Sequence, residues 1–264
     1  MFSTVCSSEK LSICPNIKAV LLYEGKIQEN YMKKEALISP DKNGIIKALP
    51  PELSEENLLR LKKFGFLMIL YDFAQDHFVR PRLHKADSQR HRQILNNLIS
   101  PVKESRVLDI ACGTGGAIPL FDNSNKYTGL DLSYSMLKQA VKKAKKKSFR
   151  KSRFIQGNAE ELLLGDESFE FVLMDTALHM IPKYQLAIAE AARVLKNGGV
   201  FVCSTPVVGI SKDFDATWKK ISDKRGLHSF TEEDIEQVCS HNGLTYSRYD
   251  TNGGVLYFQA QKAK

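Results

Sequence analysis

Residues 105–116 place an acid and closely spaced glycines at the end of an apolar run. The segment is Ser-Arg-Val-Leu-Asp-Ile-Ala-Cys-Gly-Thr-Gly-Gly. Its apolar residues predict a short strand, the glycines predict a tight turn, and the pattern that follows predicts a helix. Asp109 stands at the carboxyl end of this strand, where its carboxylate would attract a cationic group and repel a phosphate. The segment therefore favours a ligand that is positively charged where it meets the strand.

The spacing of the glycines argues against a dinucleotide site. A dinucleotide-binding fingerprint needs a third glycine three residues after the second, where the helix packs closely on the strand and receives the pyrophosphate. After Gly113 and Gly115 that position is Ile118, and Pro119 follows it. The sequence therefore disfavours a pyrophosphate ligand.

Residues 105–116 resemble the first motif of the class I S-adenosylmethionine-dependent methyltransferases, in particular the subgroup with a type 11 methyltransferase domain that includes the ubiquinone and menaquinone methyltransferases. The resemblance implies that this loop holds the methionine half of S-adenosyl-L-methionine, whose amino and sulfonium groups are both positive. The residues that it assigns to this half are Asp109, Ala111, Cys112, Gly113 and Gly115. For the loop alone, a tight turn in an unrelated α/β protein is the alternative.

Length and composition are those of an ordinary globular chain. The 264 residues are 43% hydrophobic and 26% charged, which excludes the disordered and fibrous classes. No run approaches the roughly 18 apolar residues of a membrane span. The N-terminus lacks the pattern of a secretion signal, and the five cysteines contain no CxxC pair. We therefore predict a cytoplasmic protein with free thiols.

Residues 1–50 predict a small β-rich N-terminal appendage, with short β-prone runs separated by turn residues. Its outline faintly resembles the zinc-ribbon-like segment that precedes some methyltransferase domains. That segment would need a cysteine at position 17 and a further pair, whereas this chain has Ile17 and no later pair. Because a structural zinc site needs four ligands, we predict no metal.

Residues 51–104 predict a helical cap over the cofactor site. Ser54 and the two acids after it are typical of a helix N-terminus, and helical patterning recurs as far as Ile99. In the related family, an upstream tyrosine near a Tyr-Asp pair often approaches the methionine carboxylate, and the matching residue here is Tyr71. Two interpretations of Tyr71 stay open, this contact or a place in the core.

Residues 105–264 alternate between strand-like and helix-like runs, which predicts a parallel sheet with crossover helices. The resemblance implies an α/β fold, a Rossmann-like sheet of seven mostly parallel strands with helices on both faces. Residues 244–249 and 255–260 are joined by Asn-Gly-Gly, a hairpin signal. We predict that they form the antiparallel C-terminal edge of this sheet.

Polar residues at the ends of later strands predict the adenosyl part of the site. Asp131 ends the second strand, and its two carboxylate oxygens can accept both ribose hydroxyls. Apolar residues after it can flank an adenine ring. Residues 157–160, Gly-Asn-Ala-Glu, resemble the family's Gly-Asp-Ala-Glu, in which the second residue bonds the adenine amino group. The residues predicted for this part are Asp131, Leu132, Met136, Asn158, Ala159 and Glu160.

The region near the transferable methyl group is predicted from the fourth strand. Residues 175–181, which begin with Asp175, resemble the family's fourth motif, and residues 193–199 resemble its Arg-Val-Leu-Lys-Pro-Gly-Gly signature. Histidine is a residue type that titrates near neutral pH, so His179 is the predicted general base for an acceptor that must lose a proton. Packing within the loop is the other interpretation of His179. Residues 206–230 predict part of the acceptor wall.

Nine basic residues and no acid lie between Lys138 and Arg153, although the net charge of the whole chain is only +8. This basic patch suits either a solvated helix end or a docking surface for nucleic acid or an anionic membrane. We predict a methyltransferase that acts on a small-molecule or lipid/quinone-like acceptor. The alternatives are an RNA or protein methyltransferase that docks through the patch, and a non-catalytic protein that binds an adenosyl ligand.

Overall fold

The computed structural model describes residues 39–50, 52–64, 71–149 and 151–264. Within these ranges eight strands form one sheet. They are β1 (Ile45–Lys47), β2 (Arg106–Ile110), β3 (Lys126–Asp131), β4 (Ser152–Gln156), β5 (Phe169–Asp175), β6 (Leu195–Pro206), β7 (Leu244–Asn252) and β8 (Val255–Lys262). The predicted β-prone runs before residue 39 lie outside the described residues.

The described helices flank this sheet. They are α1 (Glu55–Phe64), α2 (Tyr71–Ala74), which continues as a π-helix over Gln75–Leu83, α3 (Ser88–Ile99), α4 (Tyr134–Lys146), α5 (Tyr184–Val194), α6 (Lys212–Arg225) and α7 (Glu232–His241). Apolar side chains of α3 and α4 share one hydrophobic cluster, and those of α5 and α7 share the other. Within the described ranges, no helix has the length and apolar composition needed to cross a bilayer.

The sheet has the order β1-β4-β3-β2-β5-β6-β8-β7. Strands β1 to β6 pair in parallel, and β8 runs antiparallel to both β6 and β7. The predicted Rossmann-like sheet with an antiparallel C-terminal hairpin is therefore confirmed. The described residues form eight strands instead of the predicted seven, because β1 adds an edge strand beside β4.

Strand β1 falls within the predicted N-terminal appendage, yet it belongs to the core sheet. Ile45 pairs with Phe154 of β4 and is fully buried. The turn before β1 is fastened to α4, since the Tyr134 hydroxyl donates to the Asp41 carboxylate at 2.5 Å and accepts from the Asn43 amide at 2.7 Å. The core sheet thus begins earlier in the chain than the predicted boundary at residue 50, because this run buries its apolar side chain against β4.

Helix α4 follows directly from the sequence of its first turn and its apolar face. The Ser133 hydroxyl caps the helix by accepting the backbone N–H of Met136, as is usual for serine at this position. The buried face includes Leu137, Ala140 and Ala144, while lysines occupy the opposite face. Because α4 packs beside the glycine loop, it fixes the position of that loop against the ends of β2 and β3.

Candidate cofactor-binding and active site

A cleft with an empty volume of about 760 Å³ opens at the carboxyl ends of the parallel strands. Its walls come from the glycine loop, the segments after β3 and β4, the turn Leu178–Met180 and helix α1. Ligands of α/β proteins usually bind at this edge of the sheet. The cleft brings together seven of the predicted site residues, namely Ala111, Gly113, Asp131, Leu132, Met136, Asn158 and Ala159.

Asp131 presents a fixed carboxylate to the cleft. Its Oδ2 atom accepts the backbone N–H of Gly113 at 2.8 Å, and its Oδ1 atom accepts that of Ser133 at 2.8 Å. Burial raises the pKa of Asp131 to about 6, and the two backbone hydrogen bonds oppose that rise. Each oxygen retains a lone pair, so two adjacent hydroxyl groups of a ligand can bond this side chain.

The two glycines of the loop leave space for different neighbours. Gly113 has a φ of +55°, and a Cβ built there meets no atom within 4 Å, so the cleft is open beside it. Gly115 has a φ of +78°, and a Cβ there would lie 2.5 Å from the Ile118 Cδ1 atom and 3.1 Å from the Ala140 backbone. Gly113 therefore makes room for a ligand, whereas Gly115 permits the loop to pack on α4.

Residues of the segment after β4 have two different roles, since one lines the cleft and another bonds the structure around it. Asn158 lines the cleft, and its side-chain oxygen accepts the backbone N–H of Glu160 at 3.1 Å. Glu160, predicted to bind the cofactor, does not line the cleft. Its carboxylate accepts the Asn57 amide at 3.0 Å and the backbone N–H of Lys183 at 3.0 Å. The two oxygens of Glu160 thus link helix α1 to the start of helix α5.

Helix α1 closes one side of the cleft with residues that sequence reasoning did not single out. Asn57, Arg60 and Leu61 line it. Besides the bond from Asn57, the Arg60 guanidinium donates to the carbonyl of Gly226 at 2.5 Å. The predicted helical cap is the sequence signal that could have found this wall, but the pattern does not show which of its residues face the cleft.

Asp109 is buried next to the cleft residues and does not line the cleft. It is 2% exposed, and the Tyr127 hydroxyl donates to its Oδ2 atom at 2.7 Å. Burial raises the pKa of Asp109 to about 8; the Tyr127 bond opposes this shift, and the nearby Asp175 and Asp131 carboxylates add to it. Without a neighbouring cation, the carboxyl group is therefore mainly protonated at neutral pH.

Replacing Asp109 with Asn should change how stability depends on pH. Between the unfolded pKa of 3.8 and the folded pKa of about 8, the folded state holds a proton that the unfolded state has lost. Stability of the wild type must therefore fall as pH rises through this window. Asn does not titrate and removes this loss. We therefore expect the free energy of unfolding of Asp109→Asn, relative to that of the wild type, to rise by roughly 1 kcal/mol from pH 6 to pH 7.

Urea unfolding at the two pH values measures this gain. The exposed Asp213 supplies the control. Asp213→Asn should change the free energy of unfolding by the same amount at pH 6 and at pH 7. A wild-type stability that stays level from pH 6 to pH 7 would show that Asp109 ionises normally in the folded protein.

Asp175 ends β5 in a buried polar network that the sequence did not indicate. Its Oδ1 atom accepts the hydroxyls of Ser204 at 2.5 Å and Thr176 at 2.9 Å. Its Oδ2 atom lies 3.4 Å from His91 Nε2, and His91 Nδ1 lies 2.7 Å from the Tyr257 hydroxyl. Although burial raises the pKa of Asp175, His91 and the other partners hold it well below its usual range. Asp175 therefore carries a negative charge beside the cleft without lining it.

His179 is buried in the turn that also contributes Ala177 and Met180 to the cleft. It is 4% exposed. Burial lowers the pKa of His179 well below its usual range, and positive charge on His84, Arg60 and His228 would lower it further. A neutral imidazole can accept a proton, so the chemistry of the predicted base is retained, but its ring does not reach the cleft.

Two other predicted site residues do not line the cleft. Cys112 is 8% exposed, and its backbone N–H donates to the carbonyl of Leu130 at 2.9 Å, which fixes the start of the glycine loop. Gly115 lies against α4, as its contacts show. Tyr71 is the first residue of α2, but its side chain lies outside the described part of the chain, so its role stays a prediction.

The basic patch contains lysines with structural partners as well as exposed ones. Lys147 donates to the carbonyls of Ile118 at 3.0 Å and Pro119 at 3.1 Å, and so stabilises the turn after the glycine loop. Lys143 donates to the Thr114 hydroxyl at 3.1 Å. The exposed members in the described part of the patch are Lys138, Lys142, Lys145, Lys146, Lys151 and Arg153. Part of the patch thus has a role within the fold.

Comparison with known proteins identifies the family. Residues 108–203 match the family model described as a methyltransferase domain. These residues form a methyltransferase domain of the class I S-adenosylmethionine-dependent type. It is of the menaquinone-methyltransferase-like type, which confirms the resemblance that the motifs indicated. Apart from the residues of helix α1, the side chains that line the cleft all belong to this domain.

Relatives of this methyltransferase domain match over part of their length. A malonyl-[acyl-carrier protein] O-methyltransferase of Hamiltonella defensa is 31% identical over 148 residues, which are 55% of this chain and 55% of that protein. A demethylmenaquinone methyltransferase of Bacillus velezensis is 37% identical over 125 residues, 46% of this chain and 52% of that protein. The chain thus spans about half the length of these relatives.

A solved structure shows the same fold. The magnesium protoporphyrin IX methyltransferase of Synechocystis PCC 6803, solved with bound SAH, superposes with a TM-score of 0.61 at 16% identity. The match covers 79% of this chain and 100% of that chain. At this identity the likeness concerns the fold alone.

Proposed function

We propose that the methyltransferase domain binds S-adenosyl-L-methionine in the cleft and transfers its methyl group to a small-molecule or lipid-like acceptor. The observation that carries this proposal is the Asp131 carboxylate, which is held by two backbone N–H groups and faces open space beside Gly113. A pair of ribose hydroxyls matches these two acceptor oxygens. Relatives named for demethylmenaquinone and for malonyl-acyl-carrier protein support an acceptor of this kind.

The chain's residues fit the cofactor in three parts. Asp131 would hold the ribose, and Asn158 would accept the adenine amino group between the apolar side chains of Leu132 and Met136. Ala111 and Gly113 would border the methionine half. The ionised Asp175 makes the surrounding potential favourable to its cations, and a bound cation would in turn favour ionisation of the buried Asp109. This distribution gives the adenosyl part direct contacts and the methionine part mainly electrostatic support.

The protein's contribution to transfer is alignment and exclusion of water. When bound, the cofactor supplies a methyl group that is already activated for displacement. Helix α1 covers the cleft through Asn57 and Arg60, so that a bound ligand is held and shielded from solvent. Such positioning lowers the activation barrier of methyl transfer by holding the two reactants in the geometry in which they react. For an acceptor that must lose a proton, we propose His179 as the base.

Loss of the Asp131 carboxylate should weaken cofactor binding. We expect Asp131→Ala to lower affinity for S-adenosyl-L-methionine about tenfold or more, which corresponds to on the order of 1.5 to 3 kcal/mol. Titration calorimetry measures the change, and circular dichroism checks the fold. Asp223→Ala, at an exposed position on α6, is the matched control and should bind normally. Unchanged affinity in folded Asp131→Ala would remove this residue from the site.

The acceptor class can be identified by labelling. Incubation with methyl-labelled S-adenosyl-L-methionine and a fractionated cell extract should label the lipid or small-molecule fraction. We expect a fourfold change of Lys142, Lys145, Lys146 and Lys151 to Gln to leave this labelling intact, because these exposed side chains do not line the cleft. Label in RNA or protein that disappears in the variant would instead favour docking of such a substrate through the patch.

We also propose a reducing, cytoplasmic setting. Three cysteines within the described ranges, Cys112, Cys203 and Cys239, are free and buried, and free thiols are typical of reducing compartments. Alkylation of the protein under denaturing, non-reducing conditions should modify all five cysteines, as measured by mass spectrometry. Incomplete modification that reductant restores would reveal a disulfide and contradict this setting.

A further inference from the structure

Five exposed cations lie on the side of the sheet that α4 covers. Four of them recur along α4 at spacings of three and four residues, so they share one face of the helix. The fifth is the last residue of the edge strand β1, against which α4 packs. We call this surface the lysine face, and its members are Lys47, Lys138, Lys142, Lys145 and Lys146.

The Tyr134 ring connects the strand to the helix within this face. The Nζ atoms of Lys47 and Lys138 lie 5.4 Å and 5.8 Å from the centroid of the ring, which is within the range of a cation–π contact. The Tyr134 hydroxyl donates to the Asp41 carboxylate and accepts from the Asn43 amide. The ring therefore holds two ammonium groups at the surface, while its own hydroxyl group already has partners.

No carboxylate balances the lysine face. The sequence has no acid from residue 138 to residue 153. Among the described residues, no carboxylate oxygen lies within 4.0 Å of any of the five ammonium groups. Lys142 is four residues from both Lys138 and Lys146, and like charges at this spacing destabilise a helix. The face therefore lowers the stability of the free protein, and an anionic partner would remove that loss.

Helix α6 shows that lysine content alone does not produce such a face. Its lysines are exposed as well, but three acids are interspersed with them, namely Asp213, Asp215 and Asp223. Interspersed charges of both signs keep a helix solvated without creating a strong field of one sign. Solvation therefore does not require the arrangement found in α4, which indicates a second role for its lysines.

The lysine face lacks large exposed apolar groups. With no free ring to stack on unpaired bases, it does not match a single-stranded nucleic acid. With no side chain to insert between acyl chains, it would bind a membrane by charge, at the level of the phosphate groups. Clusters of lysine on an amphipathic helix are typical of binding to anionic lipids. The large exposed apolar side chains of the described residues lie on other elements, and they are Leu58, Leu59, Phe73, Phe78, Leu186 and Tyr249.

We propose that the lysine face docks the protein reversibly on an anionic phospholipid bilayer, where the cleft receives its lipid-like acceptor. The choice of a bilayer over another polyanion rests on the proposed function, because such an acceptor partitions into a membrane. Met136 lines the cleft, and Lys138 follows it by two positions on α4. The docked face therefore begins beside the cleft, and the rest of α4 extends the contact away from it.

Co-sedimentation with vesicles tests the docking. The wild type should bind vesicles that contain phosphatidylglycerol but not vesicles of phosphatidylcholine alone, and binding should weaken as added salt screens the charges. Changing Lys138, Lys142, Lys145 and Lys146 together to Gln should lower binding about 100-fold or more, because each lysine near an anionic surface strengthens binding several-fold. This variant loses like-charge repulsion, so it should fold, and circular dichroism checks that it does.

A variant of α6 is the matched control. Lys212, Lys219, Lys220 and Lys224 are also exposed, and changing them together to Gln removes the same charge. This variant should bind anionic vesicles as the wild type does. Equal losses in the two variants would show that net charge alone drives binding, and they would overturn the proposal. The proposal would also be wrong if the wild type binds neither kind of vesicle, or if it binds a duplex RNA more tightly than anionic vesicles.

Methyl transfer to lipids in two forms separates this inference from the proposed function. A cell lipid extract is offered with methyl-labelled S-adenosyl-L-methionine, either in anionic vesicles or dissolved in a non-ionic detergent. The wild type should label both forms, whereas the α4 variant should label the dissolved lipid normally and the vesicles about tenfold more slowly or worse. Equal labelling of vesicles by the two proteins would overturn the docking role. If the wild type labels neither form, the proposed function fails, and vesicle binding still decides the role of the lysine face.

Discussion

Gly115→Ala should be among the most damaging single changes in this protein, with a loss of about 2 to 5 kcal/mol in the free energy of unfolding. The residue has a φ of +78°, a conformation that a side chain makes unfavourable. The new methyl group would also lie 2.5 Å from Ile118 Cδ1 and 3.1 Å from the Ala140 backbone. Ile118 is fully buried and Ala140 is in the middle of α4, so neither can move away freely. Urea unfolding measures the loss.

Gly113→Ala is the matched control for this prediction. Its φ of +55° carries a similar conformational cost of roughly 1 to 2 kcal/mol, but no atom lies within 4 Å of the added Cβ. The variant should therefore fold, and its methyl group should obstruct the cleft and weaken S-adenosyl-L-methionine binding more than tenfold. Equal losses of stability in the two variants would show that packing against α4 is not what requires glycine at position 115.

Much of the site could be predicted because parallel strands bring their carboxyl ends to one edge of the sheet. Asp131 and Asn158 follow adjacent strands, and the structure places both in the cleft. The same logic does not reveal how deeply a strand-end side chain is buried. Asp109 bonds Tyr127 in the interior, and Asp175 bonds Ser204. Their partners lie on other strands, and local sequence carries no information about which neighbour satisfies a given carboxyl group.

The contacts that sequence reasoning missed join distant parts of the chain. Asn57 bonds Glu160 across 103 positions, and His91 bonds Tyr257 across 166. Periodicity predicts that a helix exists, but the side on which it packs depends on the whole fold. The cap was therefore predictable as a set of helices, whereas its cleft-lining residues were not.

The family signature at residues 193–199 has a structural explanation in its arginine. The Arg193 guanidinium donates to the carbonyls of Leu162 at 2.9 Å and Leu164 at 2.8 Å, and it pairs with Glu190 at 2.7 Å and with Asp166. Burial lowers the pKa of Arg193, but these carboxylates outweigh it and raise the pKa above its usual range. One side chain thus fastens the segment after the cleft residue Ala159 to helix α5.

Arg193→Met should therefore cost about 3 to 5 kcal/mol, the range for removing one partner of a largely buried ion pair. The Arg193 side chain is 25% exposed and that of Glu190 is 19% exposed, so water can replace only part of the lost contacts. Urea unfolding gives the magnitude. Arg193→Lys retains the charge without the planar fork of donors, and it should restore part of the stability. Because the same carbonyls position the segment next to Ala159, we expect cofactor affinity to fall in the Met variant even where it remains folded. A cost below about 1 kcal/mol, the size of a surface salt bridge, would mean that Arg193 does not hold this segment in place.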